Sequence, residues 1–517
     1  MKKLKLVCAA IAMACATPTW AGGLLTNTNQ HVAFNRMMSR EASIGIDGVY
    51  YNPAGVVFMG EGHHLAINWQ LAFQTRTINN DYALFTNNVN NPITPRDFKG
   101  TAFAPVIPSF QYAYNKGKWS FQASFALTGG GGKCTFDDGL GSFEKIVAET
   151  AIAACQLAGA VDQVAGAYGV PAIFSSNQYF GTEGKYSYNS YMHGRQYYYG
   201  LSAGAAYKFS DNFSAFLGVR GVYALTNYYG YVENIQVGQM PLYKVLNPAK
   251  ESSANIELSC DQSGVGFTPI IGVDYKTGRW NFAAKYEFKT RIRLKNKSVN
   301  QIPSIGNLPD NLRNAYIANG VSETKADAIL RNPNIQAAMG ALKTQFDSKI
   351  DGAIGEYEDG KKIAGDIPAY LAIGVGYSPI NAVRVNVGFH WFDDKNATSY
   401  NNRNKELKRG TLEYNAGVEV DINKKITLST GWQNTNYGLS DEYMDDKSFV
   451  VSSNSVSIGG VYHINKKMDL NVAYFHTFYQ HKKTTETVQL SADKKFNYSS
   501  DYTRNNNVFA VGLDINF

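Results

Sequence analysis

Apolar and polar residues alternate along the end of the chain. Phe509, Val511, Leu513, Ile515 and Phe517 are apolar, and the residues between them are small or polar. Alternation with a period of two predicts a strand that has one apolar and one polar face. Such a strand, ending on an aromatic residue, is typical of the closing strand of a bacterial outer-membrane β-barrel. A soluble antiparallel sheet gives the same alternation, so the argument depends on how often the pattern recurs.

The same pattern recurs in hairpins along the chain and predicts fourteen strands joined by six tight turns and seven longer loops. Short turns on one side and long loops on the other are typical of outer-membrane barrels. Aromatic residues such as Trp119 and Trp280 stand next to the turns, where an interfacial belt is expected. We therefore predict an all-β fold, a transmembrane antiparallel β-barrel of about fourteen strands. A soluble sandwich or propeller would have to pack these apolar faces on one another. The tight turns are predicted at 115–118, 210–212, 276–279, 378–381, 423–425 and 465–467.

The amino-terminus predicts export. Three lysines at positions 2, 3 and 5 precede a short apolar run over 6–16, and Thr19-Trp20-Ala21 suits a signal peptidase. We predict a signal peptide over 1–21, since the apolar run is too short to cross a bilayer as a helix. The expected location is the outer membrane of a Gram-negative bacterium, crossed many times. Expected partners are outer-membrane lipid, lipopolysaccharide and the barrel-assembly machinery, and we expect a monomer.

Composition agrees with this class. Tyr occurs 34 times, Phe 28 times and Gly 48 times, which suits aromatic girdles and a crowded barrel interior. The net charge of +7 falls to +4 without the three signal lysines, with 46 basic and 42 acidic residues. This balance does not predict nucleic-acid binding.

Candidate chemistry is sparse. The sequence holds no Gly-x-Ser-x-Gly, His-Glu-x-x-His or Cys-x-x-Cys motif. We therefore expect no enzyme, cofactor or metal site. Cys134, Cys155 and Cys260 remain after signal removal, and their spacing fits no metal site. In an oxidising compartment we predict that Cys134 pairs with Cys155.

A polar segment precedes the first strand. It covers residues 22–62, which we call the hatch, and the barrel would follow over 63–517. The hatch carries several charged residues and ends near Asn52, Pro53 and Ala54. It is too polar to cross lipid and too long for an idle tail, so we expect it to plug the lumen.

Two outer loops have helical spacing of apolar residues. These are Ser142–Gly169 and Leu308–Ile350, the second with a predicted helix start at Ser322. Helices there would either cover the barrel mouth or present an apolar landing surface, and the sequence leaves both open.

Cationic side chains are predicted to face the lumen. They alternate with the apolar row that begins at Trp280 and continue on two other strands. They would bind carboxylates of the hatch and barrel, or hold an anionic head group of a ligand. The candidates are Arg220, Lys285, Lys289, Arg291, Arg293, Arg384 and His390.

The mature start at Ala21-Gly22, the turn at Asn52-Pro53-Ala54, the fourteen strands and the terminal Phe517 together resemble the FadL-type transporters. This family of outer-membrane proteins serves long-chain fatty acids, with relatives for toluene and other hydrocarbons. The resemblance implies that the turn faces a kink in the third strand, which opens a side window into the membrane. Here Gly129, Gly130, Gly131 and Gly132 follow the third strand, and a rim loop also fits them.

The sequence departs from this family at Phe34–Arg40, where the family has a Gly- and Ser-rich start, and no local motif marks ligand-binding residues. The resemblance implies passive, porin-like uptake of small hydrophobic molecules, such as long-chain fatty acids or aromatic hydrocarbons, with lateral release. Two alternatives remain: an adhesive or structural barrel whose loops bind external partners, and a barrel enzyme.

Overall fold

A computed structural model describes residues 25–27, 29–304, 306–337, 339–340, 355–491 and 494–517. The predicted signal peptide lies outside this part of the chain. Fourteen antiparallel strands form the wall. They are β1 Gly62–Tyr82, β2 Arg96–Lys116, β3 Trp119–Phe136, β4 Tyr186–Lys208, β5 Phe213–Val237, β6 Ile256–Thr277, β7 in two pieces (Trp280–Glu287 and Arg293–Gln301), β8 in two pieces (Lys362–Ala364 and Tyr370–Ile380), β9 Val383–Phe392, β10 Arg409–Asn423, β11 Ile426–Gly438, β12 Ser453–Asn465, β13 Met468–Tyr479 and β14 Lys494–Asn516.

The wall closes on itself. Each strand pairs with its neighbours in sequence, and β14 pairs with β1, with Trp69 opposite Val511 and Leu71 opposite Phe509. Two short strands, Met240–Pro241 and Lys482–Ser491, extend the sheet beside β5 and β14. The fold is therefore the predicted fourteen-stranded barrel, with six tight turns at one end and seven longer loops at the other.

Burial alternates along the strands with the apolar residues outside. Trp69, Leu217 and Ile458 are exposed on the outer face, while Gln70 and Ser455 are buried on the inner face. Near the turns, Trp280 stacks on Tyr377 with ring centroids 4.3 Å apart. An apolar outer face above an aromatic belt is the arrangement that a lipid bilayer requires.

The strands extend beyond the predicted spans of nine to eleven residues. β5 has 25 residues and β14 has 23. The halves of the strands nearest the long loops are less amphipathic, and residues 75–80 of β1 are an example. The alternation of apolar and polar residues is therefore too weak there to predict a strand. As a result the glycine run 129–132 lies inside β3 and not in a rim loop.

The hatch lies inside the barrel. Residues 31 to 57 are buried except at positions 44 and 45. Helix α1 (Val32–Arg36) begins after His31, whose Nδ1 accepts a hydrogen bond from Ala33 N. Helix α2 (Gly48–Tyr51) and a 3₁₀ turn (Gly55–Phe58) follow. The lumen is therefore filled by polypeptide over this depth.

Helices and loops cover the outer mouth. They are α3 Gly141–Gly166, α4 Tyr243–Leu246, α5 Leu308–Ala318 and α6 Glu323–Leu330, with further 3₁₀ segments Ala83–Asn87, Glu251–Ala254, Asp394–Asn396 and Tyr400–Glu406. Apolar residues of α3, α5 and α6, among them Val147, Tyr316 and Ile329, share one core. We call these helices and loops the cap. The apolar faces of its helices are buried against one another, which favours a cover over the barrel mouth and not a landing surface for ligands. The part of the second loop over 341–350 lies outside the described residues.

β7 changes face between its two pieces. Glu287 points inward, and so do Thr290 and Ile292, which are fully buried. Glu287 and Thr290 are three positions apart, although strict alternation would separate two inward-facing residues by two. One additional residue therefore shifts the alternation, as in a β-bulge. The lumen-facing prediction is therefore wrong for Arg291 and Arg293, which point out of the barrel and are exposed.

The cysteines do not form the predicted pair. Cys134, Cys155 and Cys260 are all free and buried. Cys134 packs in a cluster of β3 with loop residues, whereas Cys155 belongs to the core of the cap. Within the described chain, no helix is long and apolar enough to cross a membrane.

We expect the folded, mature protein to leave all three thiols unmodified by a bulky polyethylene-glycol maleimide, because each is buried. After denaturation without reductant it should gain three adducts, counted as mass steps on a gel. A single adduct after denaturation would show that two of the cysteines form a disulfide.

Candidate functional site

A cavity of about 240 Å³ lies above the hatch. Its floor is the start of the hatch, its walls are strands β1 to β5, β11, β13 and β14, and its roof is the loop after β11. Apolar and polar groups share its surface. The lining includes Thr26, Asn27, Asn29, Arg76, Ile107, Leu127, Gly130, Gly132, Cys134, Gln196, Tyr443, Phe449, Phe475, Arg504 and Val508.

The barrel wall is interrupted beside this cavity. β2 and β3 pair from Gly100 to Ala102 and again from Ser109 to Lys116, but not between. The unpaired stretches are 103–108 of β2 and 127–133 of β3. Phe103 and Val106 remain exposed on the outer surface of this gap, at 51% and 60%. An apolar outer surface thus adjoins the unpaired stretch of the wall.

Prolines and glycines account for the gap. Pro105 and Pro108 have no backbone N–H to donate, and the β1–β2 register also shifts beside them. On the other side, β3 shifts register against β4 twice, between Leu127 and Gly129 and between Gly130 and Gly132. Gly130 has a φ of +81°, and a Cβ there would lie 2.4 Å from Gln196 O. A glycine is thus required at position 130 by the local backbone of β3. Sequence reasoning missed the prolines, although Ala-Pro-Val-Ile-Pro within a strand is a visible signal.

The hatch meets the edge of the gap. Gln30 Nε2 donates to Leu127 O at 2.6 Å, where β3 has lost its partner on β2. Gln111 Nε2 of β2 in turn donates to Gln30 O at 2.6 Å. One hatch residue therefore bridges both strands that border the opening.

The Asn52-Pro53-Ala54 turn lies nearer the tight-turn end. Asn52 Nδ2 donates to Asp274 Oδ2 at 2.6 Å, and Gln122 Nε2 of β3 donates to Pro53 O at 2.7 Å. Ser214 Oγ donates to Ala54 O at 2.7 Å. The turn thus contacts the third strand, but it does so below the kink, and none of its three residues lines the cavity.

Most of the predicted lumen cations hold the hatch or pair within the wall. Lys285 Nζ lies 2.6 Å from Tyr50 O and 2.8 Å from Glu287 Oε1. Arg220 forms a bidentate pair with Glu287 at 2.6 and 2.9 Å. His390 lies between Glu41 of the hatch at 2.6 Å and Glu413 at 2.8 Å.

Two further predicted cations sit away from the cavity. Arg384 pairs with Asp421 at 2.6 Å and lines a second space of about 510 Å³ on the turn side of the hatch. Lys289 lies at the break in β7, with its Nζ 3.1 Å from Asn396 O and 3.8 Å from Asp366. Neither residue lines the upper cavity.

A second group of buried charges fixes the middle of the hatch. Arg36 forms an ion pair with Glu419, and Arg40 lies 3.3 Å from Glu419 and 2.7 Å from Asp47. Removing one member of such a buried group leaves an uncompensated charge. The hatch is thus held by charge-assisted bonds to several strands of the barrel.

Two arginines were missed by sequence reasoning. Arg76 of β1 and Arg504 of β14 stand directly opposite each other and both line the upper cavity. Within the described residues, neither forms an ion pair with a carboxylate. Arg504 Nε is buried with no hydrogen-bond partner there, and its guanidinium lies 5.1 Å from the centroid of the Tyr479 ring. Directly opposed like charges are unfavourable, so this site favours an anion.

Two buried carboxyl groups in the outer loops have raised pKa values. Burial, together with neighbouring Asp445, raises the pKa of Asp446 to about 6, and its Oδ2 accepts a hydrogen bond from Ser142 N at the start of α3. Burial raises the pKa of Glu356 to about 8. These carboxyl groups therefore favour their neutral forms more than exposed ones do.

No family model matches the chain, and no curated protein matches it. A FadL homologue from Pseudomonas aeruginosa has a similar structure, with a TM-score of 0.58 and 13% identity over 98% of this chain and 100% of that chain. The deltaS2S3 mutant of TodX, a monoaromatic hydrocarbon channel of Pseudomonas putida, gives a TM-score of 0.52 and 13% identity over 94% and 98%. This likeness shows that the chain has the FadL fold, as the sequence resemblance implied.

We expect Glu41→Gln to loosen the hatch, because His390 loses one of its two buried carboxylates. Breaking a buried ion pair typically costs about 3–5 kcal/mol. The ion conductance of the purified protein in planar bilayers should rise above that of the wild type. Glu323→Gln, which removes an exposed partner of Arg313 on the cap, is the control and should leave conductance unchanged. Equal conductance of Glu41→Gln and wild type would contradict the role of this pair.

Proposed function

We propose that this protein carries small hydrophobic molecules across the outer membrane by passive uptake and releases them sideways through the wall. The observation that carries this proposal is the unpaired gap between β2 and β3, which adjoins a cavity above a lumen-filling hatch. A ligand leaving through the gap would reach the bilayer without passing the hatch. The shared fold with a FadL homologue and a monoaromatic hydrocarbon channel supports the transport of hydrophobic molecules.

The hatch explains why lateral release suits this barrel. It fills the lumen with charged side chains, and an apolar molecule loses its favourable environment in such a passage. Phe103 and Val106 instead continue the apolar surface outward from the gap. The lowest-energy route for a hydrophobic ligand therefore runs from the cavity into the lipid.

The side chains that line the cavity support a proposal for the ligand class. Arg76 and Arg504 provide two guanidinium groups that can donate hydrogen bonds to a carboxylate, while Ile107, Phe475 and Val508 provide apolar surface. We therefore propose an amphipathic anion, such as a long-chain fatty acid, in preference to a neutral aromatic hydrocarbon.

The gap is tested by restoring N–H donors. Pro105→Thr and Pro108→Thr together should allow β2 and β3 to pair and should reduce uptake of a labelled fatty acid by cells severalfold. Pro269→Thr is the control, since this outward-facing proline of β6 pairs with Val219 of β5 and lies away from the gap between β2 and β3. Heat-modified gel mobility checks that each barrel is folded. Unchanged uptake by the double variant would favour passage straight through the barrel or an adhesive role.

The ligand class is tested on purified protein. Arg76→Gln with Arg504→Gln should weaken binding of a fatty acid by about tenfold or more, as expected for loss of charge-assisted bonds. Binding of toluene should not change. The control variant replaces two exposed arginines, Arg195 and Arg331, with Gln. If the cavity variant keeps wild-type affinity for the fatty acid, these arginines do not hold its head group.

A further inference from the structure

The break in β7 produces a row of cations on the outside of the barrel. After Phe288 and Lys289 the alternation shifts by one residue, and Ile292 and Leu294 fill the inner face. Four cationic side chains therefore point outward on a single strand, about 7 Å apart along it. They are Arg291, Arg293, Lys295 and Lys297, and all four are exposed.

The height of this row follows from the strand. An apolar band of roughly 25 Å, crossed at a tilt of about 40° and about 3.3 Å per residue, takes about ten residues. Counted from Trp280 at the turn side, the band ends near Thr290. Arg291 is the next residue, so the row begins where acyl chains give way to head groups on the outer side.

The neighbouring strand adds to the positive charge. Lys362 of β8 stands directly opposite Lys295, and both side chains are exposed. Like charges in directly opposed positions are destabilising in a sheet. Within the described part of the chain, Arg291, Lys295, Lys297 and Lys362 form no ion pair. A bound anion between Lys295 and Lys362 would turn this repulsion into attraction.

Nearby carboxylates leave the patch with an excess of positive charge. Arg293 pairs with Asp366 at 2.8 Å, and Asp261 stands opposite Lys297. Asp359 accepts a hydrogen bond from Ser298 N. These carboxylates lie beside Arg293, Lys297 and Ser298, and none stands opposite Arg291 or Lys362 in the strand pairing.

Apolar side chains lie at the same place on the outer surface. Phe267 of β6 is 67% exposed and Phe288 is 42% exposed. Cations above exposed aromatic rings match a molecule that carries phosphates on top of acyl chains.

We propose that Arg291, Lys295 and Lys362 form a binding site for the phosphate groups of lipopolysaccharide in the outer leaflet. Arg291 and the opposed lysines contact the phosphates, and Phe267 and Phe288 contact the acyl chains. This site lies on the lipid-facing surface and is separate from the cavity and the wall gap.

The test uses the full mature protein in mild detergent with two probes, diphosphoryl lipid A and the same lipid without its phosphates. Wild type should bind the phosphorylated lipid about tenfold or more tightly than the dephosphorylated lipid. Arg291→Gln, Lys295→Gln and Lys362→Gln together should remove this difference. The matched control, Lys424→Gln, Lys425→Gln and Lys466→Gln, removes three exposed charges at the opposite end and should bind as wild type does.

Three results would overturn the proposal. The first is equal binding of both lipids by wild type, which excludes phosphate recognition. The second is a triple variant that keeps wild-type affinity for diphosphoryl lipid A. The third is an equal loss in the control variant, which would show general charge attraction. Heat-modified mobility and fatty-acid binding, which depends on the other site, verify that each variant is folded.

Discussion

Every backbone N–H and C=O group in a wall surrounded by lipid must find its partner inside the protein, because hydrocarbon offers none. The closed ladder from β1 to β14 satisfies this requirement almost everywhere. The break in β7 and the gap between β2 and β3 are exceptions, and the construction of the gap respects the same rule. Two prolines leave fewer donors to satisfy, Trp69 Nε1 donates to Pro105 O at 2.8 Å, and Gln30 reaches from the hatch to Leu127 O. An opening in a membrane wall is thus compatible with a stable barrel.

The hatch follows the opposite principle, since it depends on charge. Its Glu41, Arg36 and Arg40 form ion pairs with His390 and Glu419 in a space from which lipid is excluded. Such pairs add less net stability than apolar packing of the same volume, but losing one partner is costly. A hatch held in this way is well defined in position and sensitive to single changes. This combination suits a part that must stay in place while a ligand binds above it.

The sequence predicts the features that depend on local periodicity. It does not predict the features that depend on contacts between residues far apart in the chain. Alternation along the strands and the short turns identify the barrel, since each lipid-facing strand carries its own amphipathic signal. The break in β7 cannot be found by counting alternate positions along the strand. One additional residue reverses the face of Arg291 and Arg293, and nothing in the composition marks it. The inward position of Arg504 does follow from local periodicity, because every second residue of the closing strand counted back from Asp514 faces inward.

Other features could not be read from the sequence. Glu41 and His390 are 349 positions apart, and no local pattern announces that they meet. The predicted disulfide between Cys134 and Cys155 is wrong for the same reason. The two cysteines are close in sequence, but the fold places one in the wall and the other in the cap. The proline pair in β2 carried a local signal, but its meaning depends on which neighbouring strand loses its donors.

The position of α1 has a consequence for how the barrel is put together. Val32 N donates to Asn68 Oδ1 of β1 at 3.1 Å, and His31 Nε2 lies 3.2 Å from Asp514 Oδ1 of β14. These two strands come from opposite ends of the wall and meet at the seam. The hatch lies in the lumen and contacts both strands from the inner side, so it connects the two strands that close the cylinder. The hatch thus holds the first and last strands together from inside the lumen, in addition to the backbone hydrogen bonds between them.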